Sequence, residues 1–175
     1  MKNFILLPLL MIGTIALGQT KNNTMDNSTV KSLELERYLG KWYEIARFPH
    51  SFEKGLVGVT ATYSLREDGK IKVLNQGYKS TLDGKLKTAI GKAYIPDMND
   101  LGKLRVSFFL FFYGDYFILE LDPDYQWVLI GSSSDKYLWI LSRTAQLEKT
   151  RLEELIRFAK NRGYNTNQLL MVPQK

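Results

Sequence analysis

Residues 57–65 read VGVTATYSL, with Val59, Ala61, Tyr63 and Leu65 on one side and Thr60, Thr62 and Ser64 on the other. A period of two is that of a strand with one buried face. Ile71–Lys79 repeats it, with Ile71, Val73, Asn75 and Gly77 sharing a face. Between them, Arg66-Glu67-Asp68-Gly69-Lys70 has the composition of a hairpin turn. Further strands are predicted over Trp42–Phe48, Leu86–Ile95, Leu104–Leu110, Tyr116–Leu121, Tyr125–Gly131 and Tyr137–Arg143. Their separators are turn-rich: Thr81–Gly84, Pro96–Asp100, Tyr113-Gly114-Asp115, Asp122-Pro123-Asp124 and Ser132–Asp135. Eight strands at a spacing of about ten residues, joined by hairpin-length connections, run antiparallel and pair with their neighbours. The fold class is all-β, and an eight-stranded meander that closes on itself is an up-and-down β-barrel with room for one small ligand. A sandwich would need longer crossovers than the chain offers.

Near the end the period changes. Leu152, Leu155, Ile156 and Ala159 recur at helical spacing, which predicts an amphipathic helix over about 150–162. Thr150-Arg151-Leu152-Glu153 has the form of a capping box, and Gly163 supplies a stop. The apolar stripe is narrow, as expected of a helix docked on the outside of the barrel.

The first residues follow neither period. MKNFILLPLLMIGTIALGQ carries Lys2, an apolar run from Phe4 to Leu17 and small residues before Gln19, which reads as a secretory signal over residues 1–18. Residues 19–35 are polar and turn-rich and read as a linker to a barrel domain spanning 36–175. A lipid-anchored protein would carry Cys in place of Gln19, so the expectation is an exported protein of the periplasm or cell envelope without a lipid-anchor cysteine.

Composition narrows the chemistry. The chain has no cysteine and a single histidine, His50, which rules out disulfides, thiolate metal sites and a cysteine nucleophile. One histidine does not build a zinc site, and no G-x-S-x-G elbow is present. No metal or cofactor is expected. The formal charge is +6, but Lys and Arg are scattered singly, which describes a solvated surface and not a nucleic-acid partner.

Strand direction brings three distant places together. If the first strand rises from the barrel floor, the floor also collects the sixth-to-seventh turn and the end of the eighth strand. These hold Gly40-Lys41-Trp42, Asp122 through Tyr125, and Arg143. Trp42 is bulky enough to plug a small barrel, and a guanidinium over its indole would gain about 0.5–2 kcal/mol.

Gly40-Lys41-Trp42-Tyr43 resembles the G-x-W signature of the lipocalins, Asp122 and Tyr125 the second signature of that family, and Arg143 in YLWILSR the third. YLGKWYEIARF, VTATYSL, GKIKVLNQGY and YLWILSRT are similar to the bacterial lipocalin group related to apolipoprotein D. The likeness runs from about residue 38 to 172. In the second signature Leu121 and Pro123 stand where the family usually has Thr and Tyr.

Alternation, with the resemblance choosing the face, points Ala46, Val59, Ala61, Tyr63, Val73, Asn75, Val106, Phe108, Tyr116, Ile118 and Trp139 into the cavity. The set is mostly apolar, which suits a fatty acid, lysophospholipid or similar lipid. Small Ala46, Ala61 and Ala93 leave volume. Phe111, Phe112 and Tyr113 fall at the open rim, as an apolar lip for peripheral membrane contact or a homodimer. Glu44 also points inward and needs a partner. Two alternatives stand beside the binding protein: a structural envelope protein with a filled barrel, and a lipid- or isoprenoid-modifying enzyme using Glu44 with a tyrosine.

Overall fold

The computed structural model describes residues 25–175; the predicted signal segment lies outside the described residues. A short helix α1 (Leu35–Tyr38) leads into β1 (Gly40–Arg47). There follow β2 (Leu56–Leu65), β3 (Ile71–Lys79), β4 (Leu86–Tyr94), β5 (Lys103–Phe109), β6 (Phe112–Leu121), β7 (Trp127–Gly131) and β8 (Leu138–Ser142). Helix α2 (Lys149–Asn161) and a two-residue strand β9 (Leu170–Met171) complete the order. Each strand from β2 to β8 pairs antiparallel with the next, and β1 pairs with both β8 and β2. The result is the expected closed eight-stranded barrel with a C-terminal helix outside.

Two cores divide the molecule. Inside the lower barrel, Trp42, Tyr38, Ile71, Val73, Leu104, Ile118, Val128 and Leu141 pack together. Outside, Ile45, Ala46, Phe48, Leu119, Leu129, Leu138 and Ile140 pack beneath Leu155 and Ala159 of α2. Strand β7 serves both cores and is buried at every position, which is why WVLIG reads as a continuous apolar run. Helix α2 closes with a Schellman motif. Gly163, at φ +94°, donates to the Lys160 carbonyl, and the Tyr164 amide reaches the Ala159 carbonyl.

Several local expectations shift. Thr150 does not cap α2: the helix begins one residue earlier, and the Thr150 hydroxyl donates to the Glu148 carboxylate at 2.7 Å. The β5–β6 turn lies at Leu110-Phe111, not at Tyr113–Asp115. Gly114 and Asp115 are strand residues opposite Val106 and Arg105, held by an Arg105–Asp115 ion pair at 2.5 Å. Leu110 makes the turn with φ +47°, in the left-handed region that an alkyl side chain disfavours. Tyr125, at φ +59°, belongs to the β6–β7 turn and not to a strand.

The chain ends tie the barrel together. Residues 25–35, polar in sequence, run along it as a strap. The Val30 amide donates to the Ile118 carbonyl at 3.0 Å, and Arg162 of α2's C-cap donates to the carbonyls of Ser28 and Leu119. β1 pairs with β2 only over Gly40–Tyr43, and the C-terminal tail fills the seam above. Val172 donates to Ile45, Gly58 donates to Pro173, and the Gln174 amide reaches the carbonyls of Glu44 and Val59.

Candidate functional site

The floor is a stack built around an indole. Trp42 is fully buried, and its Nε1 donates to the Tyr38 carbonyl at 2.9 Å. The Arg143 guanidinium lies over the ring, with Cζ 3.8 Å from the centroid. Its fork donates to the carbonyls of Lys41 (3.0 Å), Arg37 (2.6 Å) and Tyr125 (3.2 Å). A planar, permanently charged donor set satisfies several otherwise orphaned carbonyls at once. Gly40 has φ +94°, and a Cβ there would stand 3.3 Å from Arg143 Nη1. Asp122 accepts from the amides of Asp124 and Gln126 and shapes the turn that delivers Tyr125. The Tyr125 hydroxyl accepts from the Glu34 amide at 2.8 Å, which seats α1 under the barrel. All five residues assigned to the floor from sequence therefore meet at one end.

Above the floor the barrel is hollow. A cavity of about 940 Å³ opens at the opposite end, at the upper end of the usual range of about 300–1,000 Å³ for small-ligand sites. Val59, Ala61, Tyr63, Val73, Asn75, Val106, Phe108, Tyr116 and Trp139 line it, on the face that alternation and the family resemblance together assigned to the interior. At its base the Tyr116 hydroxyl bonds those of Tyr38 (2.6 Å) and Tyr63 (2.9 Å). Burial pushes all three phenols above their ordinary pKa, so they are neutral donors and acceptors. Asn75 Oδ1, higher on the wall, is buried without a protein donor.

Two predicted positions do not reach the cavity. Ala46 lies in the outer core because the β1–β8 register shifts between Glu44 and Ala46. That bulge sends both Ile45 and Ala46 outward and brings Arg47 back inward. Ile118 points inside but is sealed in the lower core, as is Ala93. At the rim, Phe112 lines the mouth and Phe111 is exposed, whereas Tyr113 packs edge-on against Tyr94. Sequence reasoning missed Phe52, Glu53, Leu56, Ala89, Ser132–Ser134 and Tyr137, which reach the mouth mainly from loops that carry no period.

The inward carboxylate finds its partner through the same bulge. Glu44 pairs with Arg47 at 2.5 Å, both side chains buried. Arg47 also donates to the carbonyls of Glu53 and Leu56, at 3.0 Å each, and its Nε lies 3.9 Å from the Glu53 carboxylate. Burial raises the Glu44 pKa well above the usual carboxylate range, and the neighbouring Glu53 raises it further against the pull of Arg47. His50 is also buried here: Nε2 stands 2.9 Å from Glu53 Oε2, and the ring stacks on Phe52 at 3.8 Å. The cluster clamps the β1–β2 loop to the barrel wall. Among the described residues no group of His, Asp and Glu is arranged to hold a metal ion, and no helix is long and apolar enough to cross a membrane.

Comparison with known proteins agrees with this architecture. The lipocalin-like domain family model matches residues 33–174. The chain is 48% identical over 147 residues to the outer membrane lipoprotein Blc of Vibrio cholerae serotype O1, covering 83% of this chain and 85% of that protein. It is 45% identical over 154 residues to temperature-induced lipocalin-1 of Arabidopsis thaliana, covering 83% and 81%. Among solved structures, insecticyanin of the tobacco hornworm Manduca sexta superposes with a TM-score of 0.69 at 20% identity, covering 86% and 85%. Apocrustacyanin C2 gives 0.65 at 21% identity, covering 81% and 80%.

Proposed function

The chain belongs to the lipocalin-like family, and from that premise we propose that it binds, stores or carries a small lipid: a fatty acid, a lysophospholipid or a similar single-chain amphiphile. The observation that carries this reading is the hollow of about 940 Å³, mostly apolar in its lining, closed at one end by the Trp42–Arg143 stack and open at the other. Each methylene taken from water into such a hollow gains about 0.8 kcal/mol before chain entropy is counted. The residues proposed to touch the chain are those lining the wall, with Asn75 and the tyrosine hydroxyls as polar contacts. A filled structural barrel has no such void. The enzyme reading needs a reactive Glu44, and that carboxyl is engaged by Arg47 away from the cavity lining.

We place the protein in the cell envelope. The apolar leader from Phe4 to Leu17 supports export, and relatives of similar sequence are named outer membrane lipoproteins. The test is native mass spectrometry of protein purified from its own host, followed by displacement of an apolar fluorophore by fatty acids and lysophospholipids. A co-purified single-chain lipid and saturable displacement are expected. Val106→Trp, which thrusts an indole into the hollow, is expected to weaken probe binding at least about tenfold. Absence of both lipid and displacement refutes the reading.

A further inference from the structure

The cavity mouth carries a surface that ligand binding alone does not explain. Phe109, Leu110, Phe111 and Phe112 stand at the β5–β6 tip with 67%, 62%, 86% and 75% of their surface exposed. Four consecutive large apolar residues projecting into water are costly unless something covers them. Beside them, β4 pairs with β5 only over Lys92–Tyr94, so Leu86 and Ile90 are exposed along an unpaired edge.

Charge says what covers the lip. The open-end loops and strand ends expose Lys54, Lys79, Lys85, Lys87 and Lys136, against exposed Asp83 and Asp135. The floor end is mixed, with exposed Glu34, Glu36, Glu67, Asp68, Asp97 and Asp124 standing beside exposed Arg37, Lys41, Arg66 and Lys70. The mouth thus carries a net excess of exposed positive charge, whereas the charges at the floor come close to balancing. An approaching anionic surface turns such a molecule mouth-first. Apolar side chains ringed by lysines are the pattern of a peripheral anchor, in which rings sink to the headgroup boundary while ammonium groups stay among the phosphates.

We propose that the protein docks mouth-down on anionic lipid bilayers through the Phe109–Phe112 tip, with the surrounding lysines supplying the electrostatic attraction. Insertion is shallow, because the unpaired β4 edge keeps its backbone groups hydrated only at interfacial depth. Phe109 and Phe112 also line the cavity, so the docked lip and the hollow form one apolar surface. Docking goes beyond the ligand reading and is measured without ligand, so either can fail alone.

The test is sedimentation of the full chain with phosphatidylcholine vesicles, with and without phosphatidylglycerol, at low and high salt. Binding is expected with phosphatidylglycerol and low salt, and much less otherwise. The double variant L110N/F111S leaves the cavity lining untouched, and Asn suits the positive φ at position 110. It is expected to cut vesicle partitioning at least about tenfold while retaining the thermal midpoint and fluorophore binding. A charge-reversed K85E/K136E variant, also outside the lining, is expected to lose the phosphatidylglycerol dependence. Failure to sediment with anionic vesicles overturns the proposal, as does partitioning indifferent to L110N/F111S. A concentration-dependent dimer that L110N/F111S abolishes, without vesicle binding, assigns the lip to a second copy and equally overturns it.

Discussion

The two ends of this barrel solve opposite problems with similar residue types. Both concentrate aromatic and basic groups. At the floor, Trp42 is wholly buried and Arg143 is spent on the indole face and backbone carbonyls of three separate segments. At the mouth, Phe111 is 86% exposed and the lysines point into solvent. The difference lies in connectivity. The floor gathers α1, the start of β1, the β6–β7 turn and the end of β8, so its cation meets carbonyls that need a donor. The mouth is made of hairpin tips and the unpaired edge of β4, whose exposed apolar side chains are left free for something outside the chain. An aromatic next to a cation is a plug in one setting and a docking surface in the other.

The sharpest way to break this contrast is to truncate the plug. Trp42→Ala is expected to cost about 3–5 kcal/mol in urea unfolding, because no neighbour is placed to refill the volume of a fully buried indole. A loss comparable to that of a surface residue would mean the floor is as yielding as the mouth. Arg143→Ala is expected to cost somewhat less, about 2–4 kcal/mol by the same measurement. It strands carbonyls of Arg37, Lys41 and Tyr125, and a charged hydrogen bond is worth about 1.5–3 kcal/mol. Arg143→Lys should recover only part of that loss, since a single ammonium does not reproduce the fork.

Next comes the clamp between the two ends. The folded-state pKa of Glu44 is raised, so its neutral form favours the fold. Its contribution is complete below the ordinary carboxyl pKa and declines as pH rises through the higher folded value. Glu44→Gln imitates the protonated form. Relative to the parent, the variant should therefore gain stability as pH is raised above about 4.5, read from thermal midpoints at a series of pH values. A difference independent of pH would show that Arg47 fully offsets the burial. The smallest effect belongs to the mouth: Phe111→Ser is expected to change unfolding free energy by no more than about 0.5 kcal/mol. A large loss would place Phe111 in a core that the structure does not contain.

The barrel was legible in the sequence because its cause is local. Alternation in β2 and β3, Gly- and Asp-rich turns and one change of period announce antiparallel neighbours without any knowledge of their partners. The floor was legible too, since strand direction alone brings Gly40, Trp42, Asp122, Tyr125 and Arg143 to one end. Most of the cavity wall followed from the parity of the strands once the family resemblance chose the inward face. What only the tertiary structure decided lies where parity breaks or where no period exists. The bulge after Glu44 turns Ala46 outward and supplies Arg47 as partner, a slip in register that a residue count does not reveal. The tight turn at Leu110 is imposed by the pairing of Gly114 and Asp115, against the preference of the leucine itself. The N-terminal strap and the C-terminal tail bind through backbone groups, Arg162, the Gln174 side chain and a few isolated apolar residues such as Leu33 and Val172, too sparse to show a period, so their sequences look like linker. Side-chain pattern determines which way a strand faces; the volume left inside and the seams that must be closed are properties of the assembled walls.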